Sequence, residues 1–534
     1  MRVEKSSRHR RRHQSTKRVL NLSEGERPAL QIDFADGALF GNDAGEDELP
    51  EVLESYFVDQ SGFRNFHAQA NRFQIARSRK GMGKSALLSK LAYDLERQQE
   101  PPIVIRTTGE KLIGILEPTY KSYLQTQNYW TKVICARINY ELGKTLGFAF
   151  TENDMALVES AEVAGFKERN IVGALIQRVK SSKIPIEINI KEYNNHEELL
   201  KRALDTHSTK TVWLFVDDID STYIDSPEQQ MLVSTFFSAC RALVRDFHNL
   251  NIRVSVRTDV WSNFKKNEDL DKCEQYVTDI YWTETDLKSI LSKKIYSYFE
   301  RNFSKEAIPL SLDYKSDADK LLGYAFPSRV RWGNTFVAPF RPIRILSAGR
   351  PRWMSQLCRL AGMEADKNKK QLVGIAEISA VMKKYSRLRL NDIYKEHIHQ
   401  FAGLEKLIES FSNSPARYDT ASLLSQIAIK YVNPVGAGNV PEIDGVPYRY
   451  HMQLAHFLYK VGFIVGRREH EGLYPNADFV RFEERTELLT ESVQDDGLLW
   501  EVHPSYRDAL TIGKVRREAV RQRDASRSRS RDLR

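Results

Sequence analysis

The sequence predicts an α/β fold: a mostly parallel five-stranded sheet covered by helices, then a helical lid, then a smaller C-terminal unit. Three observations predict it. An apolar run around Phe73 and Ile75 passes through a glycine turn into helical spacing at Ala86, Leu87, Leu88, Leu91 and Leu95. A second run, Val212–Val216, is wholly apolar and ends in carboxylates, as a central buried strand does. Beyond residue 399 the pattern changes to three helix-like stretches followed by strand-like ones. At 534 residues the chain has room for two to four domains.

The glycine turn comes first. Ser78-Arg79-Lys80-Gly81-Met82-Gly83-Lys84-Ser85-Ala86 has the order strand, glycine turn, Lys-Ser, helix, which is that of a P-loop. Glycines let backbone N–H groups curl around phosphate oxygens, and a helix start adds partial positive charge. Lys84 is expected to reach the β- and γ-phosphates of ATP, and the Ser85 hydroxyl to ligate Mg²⁺. Position 78, where the strict pattern has glycine, is serine. Residues 78–86 are therefore the expected nucleotide-binding stretch of a P-loop NTPase core.

The remaining elements follow in order. Residues 52–72 read as a helical lead-in, and Ile103–Arg106 as a second strand after Pro101-Pro102. Residues 119–182 carry helical spacing, Ile184–Ile190 alternates like a strand, and Glu197–Leu204 is helical. The run Thr211–Asp220 ends in Asp217, placed to hold Mg²⁺ through water, and Asp218, placed to orient or deprotonate the attacking water. The next strand, Ile252–Arg257, ends in the polar tip Arg257. Tyr276–Trp282 supplies a fifth strand, and Thr283-Glu-Thr-Asp a capped helix start. Residues 303–340 look like an insertion. Gly349-Arg350-Pro351-Arg352 then opens a helix. Helices near 403–412, 419–431 and 452–461, then strands near 463–468, 479–482 and 498–502, have the plan of a winged helix. The expected division is a basic tail at 1–20, core at 52–300, insertion and lid at 301–398, winged-helix-like domain at 399–512, and an Arg/Ser tail at 513–534.

The net charge of +9 is unevenly spread. Residues 1–18 hold eight Lys/Arg against one acid (+7), residues 514–534 nine against three (+6), and the middle is left at −4. Both tails lack apolar periodicity, so no packed structure is expected of them. Any duplex DNA binding should run through these tails, with the winged helix adding groove contacts near Arg467 and Arg468. Four scattered cysteines without a C-x-x-C pair argue against a zinc site and for a reducing, cytoplasmic setting. No apolar run approaches a membrane span, so no membrane partner is expected. His397 and His399, two apart on a helix, face different sides and do not form one site.

With these motifs in place, the chain resembles bacterial P-loop ATPases at the border of the AAA+, STAND and KAP groups, and origin-recognition-type ATPases in its C-terminal winged helix. The resemblance rests on Ser-Arg-Lys-Gly-Met-Gly-Lys-Ser, Phe-Val-Asp-Asp-Ile-Asp, Arg-Thr-Asp-Val-Trp and Gly-Arg-Pro-Arg, and spans roughly 52–510. It implies Mg²⁺-dependent ATP hydrolysis, γ-phosphate sensing by Arg257 and by Arg352 from the lid (with Arg350 as the alternative), and a protein partner or homo-oligomer. Relatives of this kind often serve anti-phage defence or DNA transactions. Asp218 stands where most AAA+ proteins have Glu, and a shorter base implies slow turnover. Two functions fit: an ATPase coupling slow hydrolysis to a DNA transaction, or a nucleotide-gated switch that docks a separate effector.

Overall fold

The computed structural model describes residues 30–42, 47–116, 122–145, 152–164, 166, 195–206, 210–221, 223–224, 226–263, 268–305, 307–308, 313–333, 335–435, 442–470 and 477–513. Both basic tails and the alternating stretch at 184–190 lie outside the described residues.

Five strands, β1 (Phe73–Ser78), β2 (Ile103–Thr108), β3 (Val212–Asp217), β4 (Leu250–Arg257) and β5 (Val277–Asp279), form one sheet in the order β2-β3-β4-β1-β5. Every pairing in it is parallel. β3 shows why the run is apolar throughout. Val212, Leu214 and Val216 enter a core on one face, and Trp213 and Phe215 a core on the other. A strand covered on both faces has no side on which a polar residue could meet water. The helix α1 (Lys84–Glu96) supplies Leu87, Leu88 and Leu91 to the Trp213 side. Helices α2 (Tyr123–Thr145) and α3 (Pro227–Asp246) cover the Val212 side through residues such as Trp130, Ile134, Phe236 and Phe237.

Arg253 on β4 is fully buried, yet its guanidinium donates to the Phe66, Ala68 and Arg72 carbonyls and lies over the Trp213 ring. Burial pulls its pKa down to about 9. Those carbonyls and the indole compensate the buried charge and clamp the lead-in segment beneath the sheet.

After the sheet, α4 (Glu284–Asn302) starts on a Thr283–Asp286 capping box. The hairpin β6 (Val330–Trp332) and β7 (Thr335–Val337) occupies the expected insertion. Helices α5 (Pro351–Lys367) and α6 (Ile375–His397) follow and pack on each other. The C-terminal unit has helices α7 (Leu404–Glu409), α8 (Thr420–Ile427) and α9 (His451–Lys460). Its strands are β8 (Arg417–Tyr418), the small hairpin β9 (Glu442–Ile443) and β10 (Val446–Pro447), β11 (Ile464–Glu469), β12 (Ala477–Val480) and β13 (Leu499–Val502). A four-stranded sheet there runs β12-β11-β13-β8, all antiparallel. One hydrophobic cluster continues from Leu287 and Phe340 through Trp353 and Tyr385 to Phe457, Trp500 and Ile512. Among the described residues no helix is long and apolar enough to cross a membrane.

Candidate nucleotide site

Strand order places the site. β1 lies between β4 and β5, and its chain crosses to the far edge to form β2, so a crevice opens where the connections part. At the carboxyl end of β1 the chain turns through Arg79–Gly83. Gly81 (φ 80°) and Gly83 (φ 97°) are left-handed, which favours glycine. A Cβ on Gly81 would also sit 3.3 Å from Arg352 Cβ. The first N–H to bond back along α1 is that of Leu87, to the Gly83 carbonyl at 3.0 Å. Those of Lys84, Ser85 and Ala86 precede it and remain available as anion donors. Lys84 is 6% exposed, and its Nζ donates to the Ser78 carbonyl at 3.3 Å, a long contact that a phosphate oxygen could replace.

A cavity of about 320 Å³ opens over the turn. It is lined by Lys80–Ala86, by Asp218, Asp220 and Arg257 from the strand ends, and by Pro351 and Arg352 from the start of α5. Tyr56, Phe57, Val58, Ile290 and Lys294 also line it. Of the residues expected at the site, Ser78, Arg79 and Asp217 lie outside this lining, while the rest of 78–86, Asp218, Arg257 and Arg352 are brought together.

The carboxylate rim is built by neighbouring strands. The Asp217 carboxylate accepts from Ser255 Oγ on β4 and, at 3.0 Å, from the Asp218 N–H. That N–H also donates to Ser255 Oγ at 2.9 Å. Asp218 has φ 46°, a left-handed conformation that asparagine and aspartate tolerate better than most residues. Gly109 makes room for it. A Cβ there would fall 2.6 Å from Ile219 Cα and 3.0 Å from the Asp218 carbonyl. Arg257 is held by Asp220, whose Oδ2 accepts from both its backbone N–H (2.9 Å) and its Nε (3.0 Å). Burial works against the Arg257 charge, but Asp259 and Asp220 outweigh it and hold its pKa up. Arg257 thus lines the cavity with one edge already fixed to a carboxylate.

The glycine-turn rim is held from far away in sequence. Arg79 donates to the Lys460 carbonyl at 2.9 Å and pairs with Glu483 at 2.8 Å. Arg350, the residue before α5, donates to the Lys80 carbonyl at 3.1 Å and to Glu396 at 2.9 Å. The Lys80 N–H donates to the other Glu396 oxygen at 3.4 Å. Glu396 is wholly buried; burial alone would raise its pKa, but Arg350 and His397 bring it well below the carboxylate range. Arg350 is therefore committed beneath the turn, whereas Arg352 donates its N–H to the Gly81 carbonyl at 3.2 Å and faces the cavity. Trp282 Nε1 donates to the Met82 carbonyl at 2.8 Å.

The residues present fit a nucleoside triphosphate with its magnesium ion. Left-handed glycines, unbonded helix-start N–H groups and a buried lysine held by one weak contact form a phosphate cradle. Ser85 is the hydroxyl for a metal ligand, and Asp217, held by two donors behind the lining, is suited to a water-mediated one. The chain matches no family model and no curated protein. Three solved structures are similar over most of their length. Cdc6p from Pyrobaculum aerophilum is 13% identical over 92% of this chain and 100% of its own, with a TM-score of 0.32. The ORC2 protein from Aeropyrum pernix, in ADPNP-ADP complexes, is 11% identical over 88% and 95%, with a TM-score of 0.36. The RuvB Holliday junction branch migration motor of Thermotoga maritima is 12% identical over 79% and 88%, with a TM-score of 0.30. Likeness at this level carries nothing about function.

Several site residues have no local signal. Ser255, Asp220, Trp282, Glu396 and Gly109 matter only through partners elsewhere in the chain. The histidines do not share a helix as expected: α6 ends at His397 and His399 lies in the turn beyond it, so it is the end of the helix that sends them to different partners. His397 Nδ1 bonds Gln400 Oε1 at 2.8 Å, while His399 Nε2 lies 3.6 Å from Asp259. Arg467 on β11 is bound to Glu501 at 2.9 Å and Glu469 at 3.0 Å, so its guanidinium is already engaged.

Proposed function

We propose that the chain is a Mg²⁺-dependent ATPase of AAA+, origin-recognition-like architecture, with a winged-helix-like C-terminal domain, that couples slow hydrolysis to a transaction on DNA. The observation that carries this reading is one cavity reached by a glycine turn, Asp218 at the end of β3, a strand-end arginine and a lid arginine. ATP would lie with its phosphates along residues 81–86 and its base toward Tyr56, Val58 and Ile290. Lys84 would exchange the Ser78 carbonyl for β- and γ-phosphate oxygens. Ser85 and, through water, Asp217 would hold Mg²⁺, which when bound would supply positive charge against the phosphates. Asp218, strained and aimed from the strand tip, would orient the attacking water and take its proton. Arg352 would contact the γ-phosphate from the lid, and Arg257 would act as a sensor only by loosening its hold on Asp220.

The test is calorimetric titration with ATP and Mg²⁺. Lys84→Ala should lower affinity by roughly 100-fold, the worth of about 3 kcal/mol in charge-assisted contacts. Undiminished affinity would remove the nucleotide assignment.

A second reading is favoured by the clasp on residues 79–81. Arg79 and Lys80 are bound to Glu483 and Glu396, so occupancy of the turn bears directly on the C-terminal half. In this reading the protein is a switch that docks a partner protein or another copy of itself, and hydrolysis resets it. ATP turnover with and without duplex DNA separates the two, since strong stimulation selects the DNA-coupled ATPase.

A further inference from the structure

The described part of the chain is acidic on balance at its centre, yet one face of it is not. The 23-residue helix α6 exposes four charged side chains, Lys383, Lys384, Arg387 and Lys395, and all are cationic. Its carboxylates are withdrawn. Glu377 caps the helix start at Gly374, Glu396 is buried on Arg350, and Asp392 pairs with Arg389 at 3.1 Å. Lys384 and Arg387 are three apart and share one stripe of the helix.

The β6–β7 hairpin packs against this helix through β6. Its two faces are chemically distinct. Val330 pairs with Val337 and both are buried, which anchors the hairpin. The next pair, Arg331 opposite Phe336, alternates to the outer face, where both are exposed. Phe336 is 67% exposed, one of the most solvent-facing apolar side chains among the described residues. An outward phenyl ring directly across from a guanidinium, on a hairpin that packs against a helix exposing only cations, offers the stacking platform and phosphate track that single strands need. A duplex keeps its bases stacked and offers the ring no face to meet.

We propose that the β6–β7 hairpin and the adjoining face of α6 bind single-stranded DNA, with a base stacked on Phe336 and phosphates on Arg331, Lys384 and Arg387. This rests on the DNA-coupled reading above and gives that activity a strand-binding surface distinct from the tails. The experiment uses the full-length protein, a fluorescein-labelled 20-nucleotide oligothymidylate and a duplex of equal length, read by anisotropy over a range of salt. The wild type should prefer the single strand. Phe336→Ala should weaken it about 5- to 100-fold, the range of one base–aromatic stack. Lys384→Ala combined with Arg387→Ala should reduce the log–log salt slope by about 1.4. Thermal melting and DNA-free ATP turnover of these variants should match the wild type, showing an intact fold. Wild-type affinity and slope in both variants overturn the surface. If DNA still stimulates turnover in that case, the DNA-coupled reading survives and the contacts lie elsewhere. Preference for the duplex, insensitive to Phe336→Ala, also overturns it. If neither DNA binds or stimulates the wild type, the surface and the DNA-coupled reading fall together.

Discussion

The two rims of the cavity are secured by opposite means. The carboxylate rim is local: Asp217 is fixed by Ser255 and Asp220 fixes Arg257, both across the β3–β4 pairing, 38 and 37 residues apart. The glycine-turn rim is remote. The Lys80 carbonyl and N–H are bound by Arg350 and Glu396, and the Arg79 guanidinium by the Lys460 carbonyl, partners 270 to 381 residues further along the chain. The sheet alone therefore shapes the place of chemistry, while the lid and C-terminal unit shape the place of binding. A ligand that reshapes the turn must rearrange contacts made by the second half of the molecule.

Glu396→Ala tests the remote rim most severely. It leaves Arg350 buried without its partner, and breaking such a pair costs about 3–5 kcal/mol. Chemical denaturation should show a loss of that size, together with weaker ATP binding. A loss below about 1 kcal/mol would mean that the clasp is incidental and the rims do not differ.

Asp218→Asn tests the local rim. Binding of ATP should be retained while turnover falls on the order of 100-fold, because a water-orienting carboxylate is gone and the cradle is intact. Steady-state phosphate release measures it, and a matching loss of affinity would deny the division between binding and chemistry.

Arg352→Ala acts where the rims face each other. It should weaken ATP by about tenfold, one charge-assisted contact, and leave ADP nearly unchanged. Equal losses for both nucleotides would make Arg352 a residue that only supports the Gly81 carbonyl.

The last effect is in pH dependence. Burial raises Asp259 to about 6, opposed by Arg257 and reinforced by Glu396 and Asp220. Burial lowers His397 to about 4, opposed by Glu396. From pH 4 to 6 the folded state holds a proton on Asp259 that the unfolded state has lost, so this group's stabilisation fades as pH rises. His397 does the reverse, because the unfolded imidazole is protonated up to about pH 6.5 and stability is gained as pH rises. The two offset each other in the wild type. In Asp259→Asn the opposing limb is removed, and stability should climb between pH 4 and 6 more steeply than in the wild type, by up to about 1.4 kcal/mol per pH unit. Thermal melts of both proteins at stepped pH check it, and identical slopes would take Asp259 out of the folded-state linkage.

The same contrast explains which features are legible in the sequence. The glycine turn, the Val212–Val216 run and the capped start at Thr283 announce themselves because their chemistry is written in consecutive residues. The five strands follow from apolar runs for the same reason. The clasp does not, since nothing near Arg79 indicates Glu483, and nothing near Lys80 indicates Glu396. Gly109 looks like an ordinary residue before a helix until Ile219 is seen against it. Arg257 is legible as a polar strand tip, but its tie to Asp220 depends on the β3–β4 register. The choice between Arg350 and Arg352 is equally hidden, because only burial shows which of two neighbouring arginines is already occupied.

Trp282 adds an optical consequence. Its indole N–H is bound to the Met82 carbonyl, and its ring lines the cavity half-exposed, while Trp130, Trp213, Trp261, Trp353 and Trp500 are buried in cores and Trp332 sits on the β6–β7 hairpin. Indole emission shifts with polarity and with the fate of that hydrogen bond. Filling the turn with phosphate changes both at this one position, and Trp282→Phe subtracts the signal cleanly. The protein thus carries an intrinsic fluorophore wired to its glycine turn, and binding can be timed on the millisecond scale without attaching a dye.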